Sequence, residues 1–161
     1  MIVNDFIIPE DLFLSTTLKH MDRLVNQSLI NPDFNRFVLL HFKGSDPWVI
    51  SYSIWEWLRK NVNYVADNPD ELLIAPYNFI NEGYGDCDDY SMFTYAVAKL
   101  KGLKPAYVLL GTNDEGYSHV AVQVEISPGE NILIDGCNPF FNKVNYKKYN
   151  NLKVLSCNMD F

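Results

Sequence analysis

The sequence has few cysteines and no long apolar run, and these absences narrow the class of protein. Its three cysteines, Cys87, Cys137 and Cys157, are an odd number at wide spacing in 161 residues, unlike the disulfide framework of a small secreted domain. We therefore expect reduced thiols. The stretch "MIVNDFIIPEDL" lacks the basic start of a signal peptide, and no apolar stretch is long enough to span a bilayer. We expect no membrane partner, and a location in the cytoplasm or in a particle assembled there.

Basic residues are also scarce. The chain has 13 Lys and Arg against 20 Asp and Glu, which gives a formal net charge of -7. Affinity for nucleic-acid phosphates depends on clustered Lys and Arg, so we expect no nucleic-acid partner. Hydrophobic residues make up 48% of the 161, enough to bury one ordinary core, and we interpret residues 1–161 as a single domain.

The first half of the chain has helical periodicity and the second half has strand periodicity. Apolar residues recur at helical spacing over residues 9–30, and "NPDFNRFVLLHF" and "DPWVISYSIWEWLRKNVNY" each begin with an N-cap, Asn31 or Asp46, followed by proline. A short helix is predicted over residues 76–82. The period changes to two in "PAYVLLG", "SHVAVQVEI" and "NILIDGC", and "LKVLSC" is a weaker fourth strand. This order predicts an α+β fold with a small antiparallel sheet behind a helical layer.

The stretch "GYGDCDDYSMFTYAVAKLKG" places a cysteine at the start of a helix. Gly83 and Gly85 predict a flexible turn, after which apolar residues recur at helical spacing: Tyr90, Phe93, Val97 and Leu100. Counting back by three from Tyr90 puts Cys87 in the first turn, at the top of the buried stripe. This is a position that a nucleophile could occupy.

Three aspartates surround this cysteine. Asp86, Asp88 and Asp89 can accept the free N–H groups of a helix start and complement its positive end. Unpaired carboxylates close to a thiolate would raise the pKa of the thiol. We therefore expect Asp86 or Asp89 to turn toward the helix start or toward a cation such as Arg59 or Lys60, and we expect thiol activation to depend on a histidine.

The strands that follow offer that histidine together with an aspartate. Alternation in "SHVAVQVEI" puts His119 on the face opposite the valines, and alternation in "NILID" puts Asp135 on the face opposite the isoleucines. If the Val and Ile faces coincide in one sheet, His119 and Asp135 lie on the same side. In that arrangement, the numbers of any two residues that pair across the strands sum to an even value. The "SPG" connection must therefore have odd length or include a bulge.

A thiol at a helix N-terminus, a histidine and an aspartate are the parts of a nucleophilic triad. The histidine can take the thiol proton and later protonate the leaving group, while the aspartate orients the histidine and stabilises its charged form. The order is Cys87, His119, Asp135. His20 and His41 lie on helical segments without thiol or acidic neighbours at a telling spacing, and we interpret both as structural.

A metal site is the alternative chemistry. Cys87, His119 and Cys137 could in principle hold zinc together with Asp135. The sequence contains no C-x-x-C or H-x-x-x-H knuckle, and the aspartates beside the cysteine lack the EF-hand spacing. We therefore expect no metal and no cofactor.

The motifs resemble the transglutaminase-like domain of the papain-like cysteine enzymes, especially small bacterial and phage members. The resemblance is carried by "GYGDCDDYSMFTYAVAKLKGLKPAYVLL", "SHVAV" and "LIDGCNP", and it covers residues 50–139. It implies a papain-like core over residues 47–139, an extra helical segment at residues 1–46 and a tail with an edge strand at residues 140–161. By the resemblance, Cys87 is the nucleophile, His119 the base and Asp135 its orienting partner. The chain departs from many relatives after the aspartate, where it has Gly-Cys.

Three functions from different classes follow. The first is a cysteine-nucleophile enzyme that acts on amide bonds of a protein or peptide substrate, as a peptidase, amidase or transglutaminase. Its oxyanion would contact the backbone N–H of Cys87 and, as a second donor, Asn81. The second is a non-enzymatic structural or interaction module of a phage virion or bacterial assembly that keeps the fold. The third is a zinc-binding structural domain.

Overall fold

The computed structural model describes residues 10–66 and 72–155. In these ranges the helices are α1 (Glu10–Leu29), α2 (Pro32–His41), α3 (Pro47–Asn61), α4 (Pro76–Glu82) and α5 (Cys87–Leu100). The strands are β1 (Asn63–Tyr64), β2 (Tyr84–Gly85), β3 (Lys104–Thr112), β4 (Gly116–Ser127), β5 (Glu130–Ile134) and β6 (Asn151–Val154). Cys157, and with it the end of the predicted fourth strand, lies outside the described residues.

The helix starts follow the predicted capping residues. The side chain of Asn31 accepts a hydrogen bond from the backbone N–H of Phe34 at 2.9 Å. Asp46 accepts from the N–H groups of Trp48 at 2.8 Å and Val49 at 3.1 Å. These bonds satisfy donors that have no partner within their own helix, so the predictions for the starts of α2 and α3 are confirmed.

The larger sheet is antiparallel and has the strand order β5-β4-β3-β6. Helix α5 packs on β4 and β3 and forms the centre of the core, with α1, α3 and α4 packed against its other sides. Phe93, Ala96 and Val97 of α5 are fully buried, as are Val122 and Val124 of β4. The predicted α+β class, with a small antiparallel sheet packed on the cysteine-bearing helix, is confirmed.

The register of β4 and β5 satisfies the parity condition. Val122 pairs with Ile134 and Val124 with Ile132, and the register shifts at a bulge between Glu125 and Ser127. The Val and Ile faces therefore coincide against α5. The opposite face, which carries His119, lies partly under the segment that precedes β6.

A second, parallel pair of very short strands was not predicted. β1 and β2 pair so that Asn63 faces Tyr84 and Tyr64 faces Gly85. Gly85 is buried, and a Cβ atom added there would lie 2.7 Å from Oδ2 of Asp89 and 2.9 Å from the ring of Phe79. The expectation of a flexible turn at Gly85 is therefore wrong: this glycine is required because the backbone packs directly on the start of α5.

Within the described ranges, none of the helices combines the length and the apolar character needed to cross a bilayer.

Candidate active site

His119 and Asp135 are joined directly. Nε2 of His119 lies 2.7 Å from Oδ2 of Asp135, and each side chain is only 10% exposed. The bond exists because His119 on β4 and Asp135, which directly follows β5, lie on the same face of the sheet, as the strand alternation predicts. It uses Nε2, so Nδ1 is the ring nitrogen left for a further partner.

The turn that follows β5 fixes the carboxylate of Asp135. Its Oδ1 accepts a hydrogen bond from the N–H of Cys137 at 3.0 Å, and its backbone oxygen accepts from the N–H of Asn138 at 3.0 Å. Helix α3 holds the same turn, since Nε1 of Trp55 donates to the backbone oxygen of Asn138 at 3.0 Å. The aspartate is thus oriented by backbone groups of the turn, and the turn is held by helix α3.

Gly136, within this turn, packs directly against α3 and α5. A Cβ atom there would lie 2.7 Å from Cδ1 of Leu58 and 2.8 Å from Cδ2 of Tyr90. Only glycine lets α3 and α5 pack this closely beneath Asp135. We conclude that Gly136 permits close packing beneath Asp135.

Cys87 is the first residue of α5, and the backbone of β4 locates it. The backbone N–H of Val120 donates to the sulfur of Cys87, and Oγ of Ser91, one turn further along the helix, donates to the backbone oxygen of Val120 at 3.0 Å. β5 ends at Ile134, which pairs with Val122. The backbone of Val120 therefore lies beyond the last residue pair of β4 and β5, and it can bond α5 instead. Val120 directly follows His119, and Cys87 is therefore held beside the residue that carries the imidazole.

The aspartates build the helix start. The side chain of Asp86 accepts a hydrogen bond from the N–H of Asp88 at 3.1 Å, and Oδ2 of Asp89 accepts from the N–H of Asp86 at 3.0 Å, which forms a capping box. The expectation that Asp86 or Asp89 turns toward the helix start is confirmed. Lys60 pairs with Glu56, and Arg59 donates to the backbone oxygen of Gly136 at 3.4 Å.

The surroundings of the Cys87 thiol favour its neutral form. Burial raises the pKa of this thiol, the charges of Asp88 and Asp86 raise it further, the hydrogen bond from Val120 lowers it, and Asp135 adds a smaller increase. Burial also raises the pKa of the Cys137 thiol, again with help from Asp135. Near pH 7 the cysteine at the helix start is therefore protonated, and a base must remove its proton.

Removal of the charge of Asp88 tests this electrostatic argument. In Asp88→Asn the midpoint of the pH dependence of iodoacetamide alkylation at Cys87 is expected to move down by about 0.5 to 1 unit, because one repulsive charge is lost. Peptide mass spectrometry reads the rate at Cys87 alone. Asp114→Asn, at an exposed position in the β3–β4 turn, is the matched control and should leave the profile in place. Equal profiles for all three proteins would contradict the argument.

A cavity of about 510 Å³ opens beside His119 and Asp135, and Cys87 is not among the residues that line it. Its lining consists of residues from β1, β4, the turn after β5 and the segment before β6: Tyr64, Ser118, His119, Asp135, Cys137, Asn138, Pro139, Asn145, Lys148 and Tyr149. Tyr149 is buried and its ring stacks on that of His119, with centroids 5.5 Å apart and planes 8° apart. The sequence reasoning missed Tyr149 and Lys148, whose only signal was an Asn-, Lys- and Tyr-rich bias around residues 138–151.

The remaining predicted residue, Asn81, lies exposed in the last turn of α4. Its role as an oxyanion donor stays a prediction. For the metal alternative, one ligand atom each of His119, Asp135 and Cys137 lie within 4.8 Å of one another. Among the described residues, this cluster combines imidazole, carboxylate and thiol, and it does not include Cys87.

Comparison with known proteins places the chain in a family. A family model described as "Transglutaminase-like domain" matches residues 36–158; it begins within α2 and so extends beyond the region that the motifs indicate. The UPF0252 protein PH0672 of Pyrococcus horikoshii is 28% identical over 93 residues, which make up 57% of this chain and 29% of the relative. The chain thus spans less than a third of the length of that curated relative.

Solved structures share the fold. A proposed protease from Parabacteroides distasonis has a TM-score of 0.59 and 10% identity over 75% of this chain and 26% of its own. A proposed cysteine protease from Cytophaga hutchinsonii has a TM-score of 0.56 and 16% identity, and the match covers 99% of this chain and 61% of that protein. Calcium-bound LapG from Legionella pneumophila has a TM-score of 0.52 and 16% identity, and the match covers 86% of this chain and 72% of that protein. The family model matches three quarters of the residues of this chain, and the shared fold surrounds the Cys-His-Asp arrangement. The chain belongs to the transglutaminase-like domain family.

Proposed function

We propose that the chain is a cysteine-dependent acyl-transfer enzyme that acts on amide bonds of a protein or peptide substrate. Cys87 is the nucleophile, His119 the general base and acid, and Asp135 the residue that orients His119. The observation that carries the proposal is the 2.7 Å bond between Nε2 of His119 and Oδ2 of Asp135. The next residue after His119, Val120, is the one whose backbone N–H contacts the Cys87 sulfur. The fold shared with proposed proteases supports it.

The reaction starts from the neutral thiol. The sulfur of Cys87 attacks the carbonyl carbon of the amide while the thiol proton passes to Nδ1 of His119, and the Asp135 carboxylate stabilises the imidazolium. The backbone N–H of Cys87, at the positive end of α5, donates to the oxyanion, and we propose Asn81 as a second donor. His119 then gives its proton to the departing amine, the C–N bond breaks, and a thioester on Cys87 remains.

The thioester is resolved by water or by an amine. His119 accepts a proton from the incoming group as it attacks the carbonyl carbon, and the proton returns to the sulfur when the C–S bond breaks. Water gives hydrolysis and an amine gives transfer. The cavity beside His119 is open to either acceptor, so one experiment must measure the partition between them.

Acylation by p-nitrophenyl acetate tests the proposal without a natural substrate. The wild type is expected to gain one acetyl group on Cys87 in intact-mass and peptide measurements, with release of one equivalent of p-nitrophenol. Added glycine methyl ester would raise the turnover rate and appear as its N-acetyl product if amine transfer competes with hydrolysis. Cys87→Ser is expected to lose the adduct. Acetylation that occurs equally on Cys137, or that persists in Cys87→Ser, would overturn the proposal and favour the non-enzymatic interaction module.

Tyr149 is proposed as a positioning residue for this reaction. Its ring covers one face of the His119 imidazole and limits both rotation of the imidazole and access of water to the bond with Asp135. Tyr149→Leu is expected to lower the acylation rate of Cys87 about 10-fold, whereas Tyr149→Phe, which keeps the ring, should retain most of the activity. Stopped-flow acylation rates measure both variants.

Tyr146 provides the control for Tyr149. It lies in the same segment but is 74% exposed, so Tyr146→Leu is expected to acylate at the wild-type rate. If Tyr149→Phe lost as much activity as Tyr149→Leu, the stacked ring would not be the feature that matters.

A further inference from the structure

Three side chains of different chemistry meet where β5 ends. His119, Asp135 and Cys137 each present one ligand atom within 4.8 Å of the other two, and all three line the cavity of about 510 Å³. Imidazole, carboxylate and thiolate are the ligands that Zn²⁺ prefers in proteins. We propose that His119, Asp135 and Cys137 form a zinc-binding site, with the fourth coordination position open to the cavity.

The geometry requires a small adjustment. Nε2 of His119 and Oδ2 of Asp135 are 2.7 Å apart, close to the separation of two ligands on one ion. Since Zn–N distances are about 2.0 Å and Zn–S distances about 2.3 Å, a tetrahedral ion holds its ligand atoms about 3.2 to 3.7 Å apart. Nε2 and Oδ2 therefore have to move apart by about 0.5 Å, and the Cys137 sulfur, which lies within 4.8 Å of the other two ligand atoms, has to approach them by about 1.3 Å at most.

The protons balance in this step. The ion takes the place of the proton between Nε2 of His119 and Oδ2 of Asp135, and neutral His119 then carries its ring proton on Nδ1. Cys137 gives its thiol proton to water and binds as the thiolate. Two ligand charges, from the carboxylate and the thiolate, match the charge of the divalent ion.

The surroundings hold the ligands in place. The N–H of Cys137 donates to Oδ1 of Asp135 at 3.0 Å, which orients the carboxylate and leaves Oδ2 for the ion. The turn that carries Asp135 and Cys137 is held by Trp55 through the backbone oxygen of Asn138, and the His119 ring is held by Tyr149. Such outer contacts are what metal sites use to orient their ligands.

The site arises from the turn that follows β5 and not from a sequence knuckle. Asp135 and Cys137 are separated by one residue, and the turn that begins at Asp135, where the N–H of Asn138 donates to the Asp135 backbone oxygen at 3.0 Å, brings Cys137 within reach of His119. This arrangement lacks C-x-x-C and H-x-x-x-H spacing, and it omits Cys87, which the zinc alternative considered from the sequence included. It also makes Cys137 the residue that distinguishes metal binding from catalysis.

Bound zinc would withdraw His119 and Asp135 from acyl transfer and so inhibit the enzyme reversibly. This consequence rests on the proposed function, whereas binding itself does not. The two are separable because Cys137 is a ligand but has no role in the reaction, and Cys87 is the nucleophile but is not among the clustered ligands.

The test uses the full chain with Zn²⁺ in isothermal titration and with Co²⁺ in absorption spectroscopy. The wild type is expected to bind one ion per chain, and Co²⁺ should show tetrahedral d–d bands and a thiolate charge-transfer band. Cys137→Ser should lose the charge-transfer band and weaken zinc binding at least about 100-fold, and Asp135→Asn should weaken it about 10-fold or more. Cys87→Ser is the matched control and should bind within about 3-fold of the wild type.

Several outcomes would overturn the proposal: a wild type that binds no zinc, Cys137→Ser that binds as well as the wild type, or Cys87→Ser that loses the charge-transfer band. Thermal denaturation checks that each variant is folded, and Cys137→Ala replaces Cys137→Ser if the serine variant is not. A protein that binds zinc as expected but never acylates Cys87 would contradict the proposed function alone. A protein that acylates but binds no zinc would contradict the metal site alone.

Discussion

Replacement of His119 by alanine is expected to lower the rate at which p-nitrophenyl acetate acylates Cys87 about 1,000-fold. The reason is the state of the thiol. Burial and the charges of Asp88 and Asp86 raise the pKa of Cys87, so at pH 7 the nucleophile is protonated and cannot react until a base takes its proton. Among the described residues that line the cavity, His119 carries the imidazole, and its Nε2 is already bonded to Asp135, so Nδ1 is the nitrogen that we propose as the base.

Two variants make this result specific to proton transfer. His119→Gln can still hydrogen-bond Asp135 but cannot accept the thiol proton, so it should be as slow as His119→Ala. In both variants the rate should rise as the pH approaches the raised pKa of the thiol, because hydroxide then replaces the missing base. His20→Ala, on α1 and outside the cavity lining, should acylate like the wild type. Acylation by His119→Gln at the wild-type rate would remove His119 from the mechanism.

Much of the architecture follows from local signals in the sequence. The N-caps at Asn31 and Asp46 set two helix starts because a side-chain oxygen three residues before a free N–H is a local arrangement. The shared face of His119 and Asp135 follows from the two-residue period of strands once the Val and Ile faces are matched in the core. Both features depend on short-range geometry, and both are predictable from residue types.

The features that could not be predicted depend on contacts between distant segments. β1 and β2 are two residues each, too short to show any period. The contact between Tyr149 and His119 depends on how an irregular segment folds back over the sheet, and its composition carries no signal for a contact with one histidine. The bond from Val120 to Cys87 depends on where β5 ends, and strand ends are set by the following turn more than by the strand itself.

Asp89→Ala is expected to reduce the free energy of unfolding by about 3 to 5 kcal/mol, the largest effect on stability that we predict at the site. The side chain is 1% exposed. Its Oδ1 accepts from the backbone N–H of Ile74 at 2.7 Å, and its Oδ2 accepts from that of Asp86 at 3.0 Å. Alanine leaves the buried N–H of Ile74 and the partly buried N–H of Asp86 without this acceptor, and each such loss costs about 1 to 3 kcal/mol.

The two bonds of Asp89 also connect function to stability. One closes the capping box that places Cys87 in the first turn of α5, and the other ties α5 to the backbone that leads into α4. Asp89→Asn, which keeps one carbonyl acceptor, should lose about half as much stability in urea unfolding. Asp33→Ala, in the first turn of α2 but 86% exposed, is the matched control and should cost about 0.5 kcal/mol or less. If Asp89→Ala cost no more than Asp33→Ala, the aspartates beside Cys87 would be a solvated charge cluster, and the position of the nucleophile would have to be explained by the contact with Val120 alone.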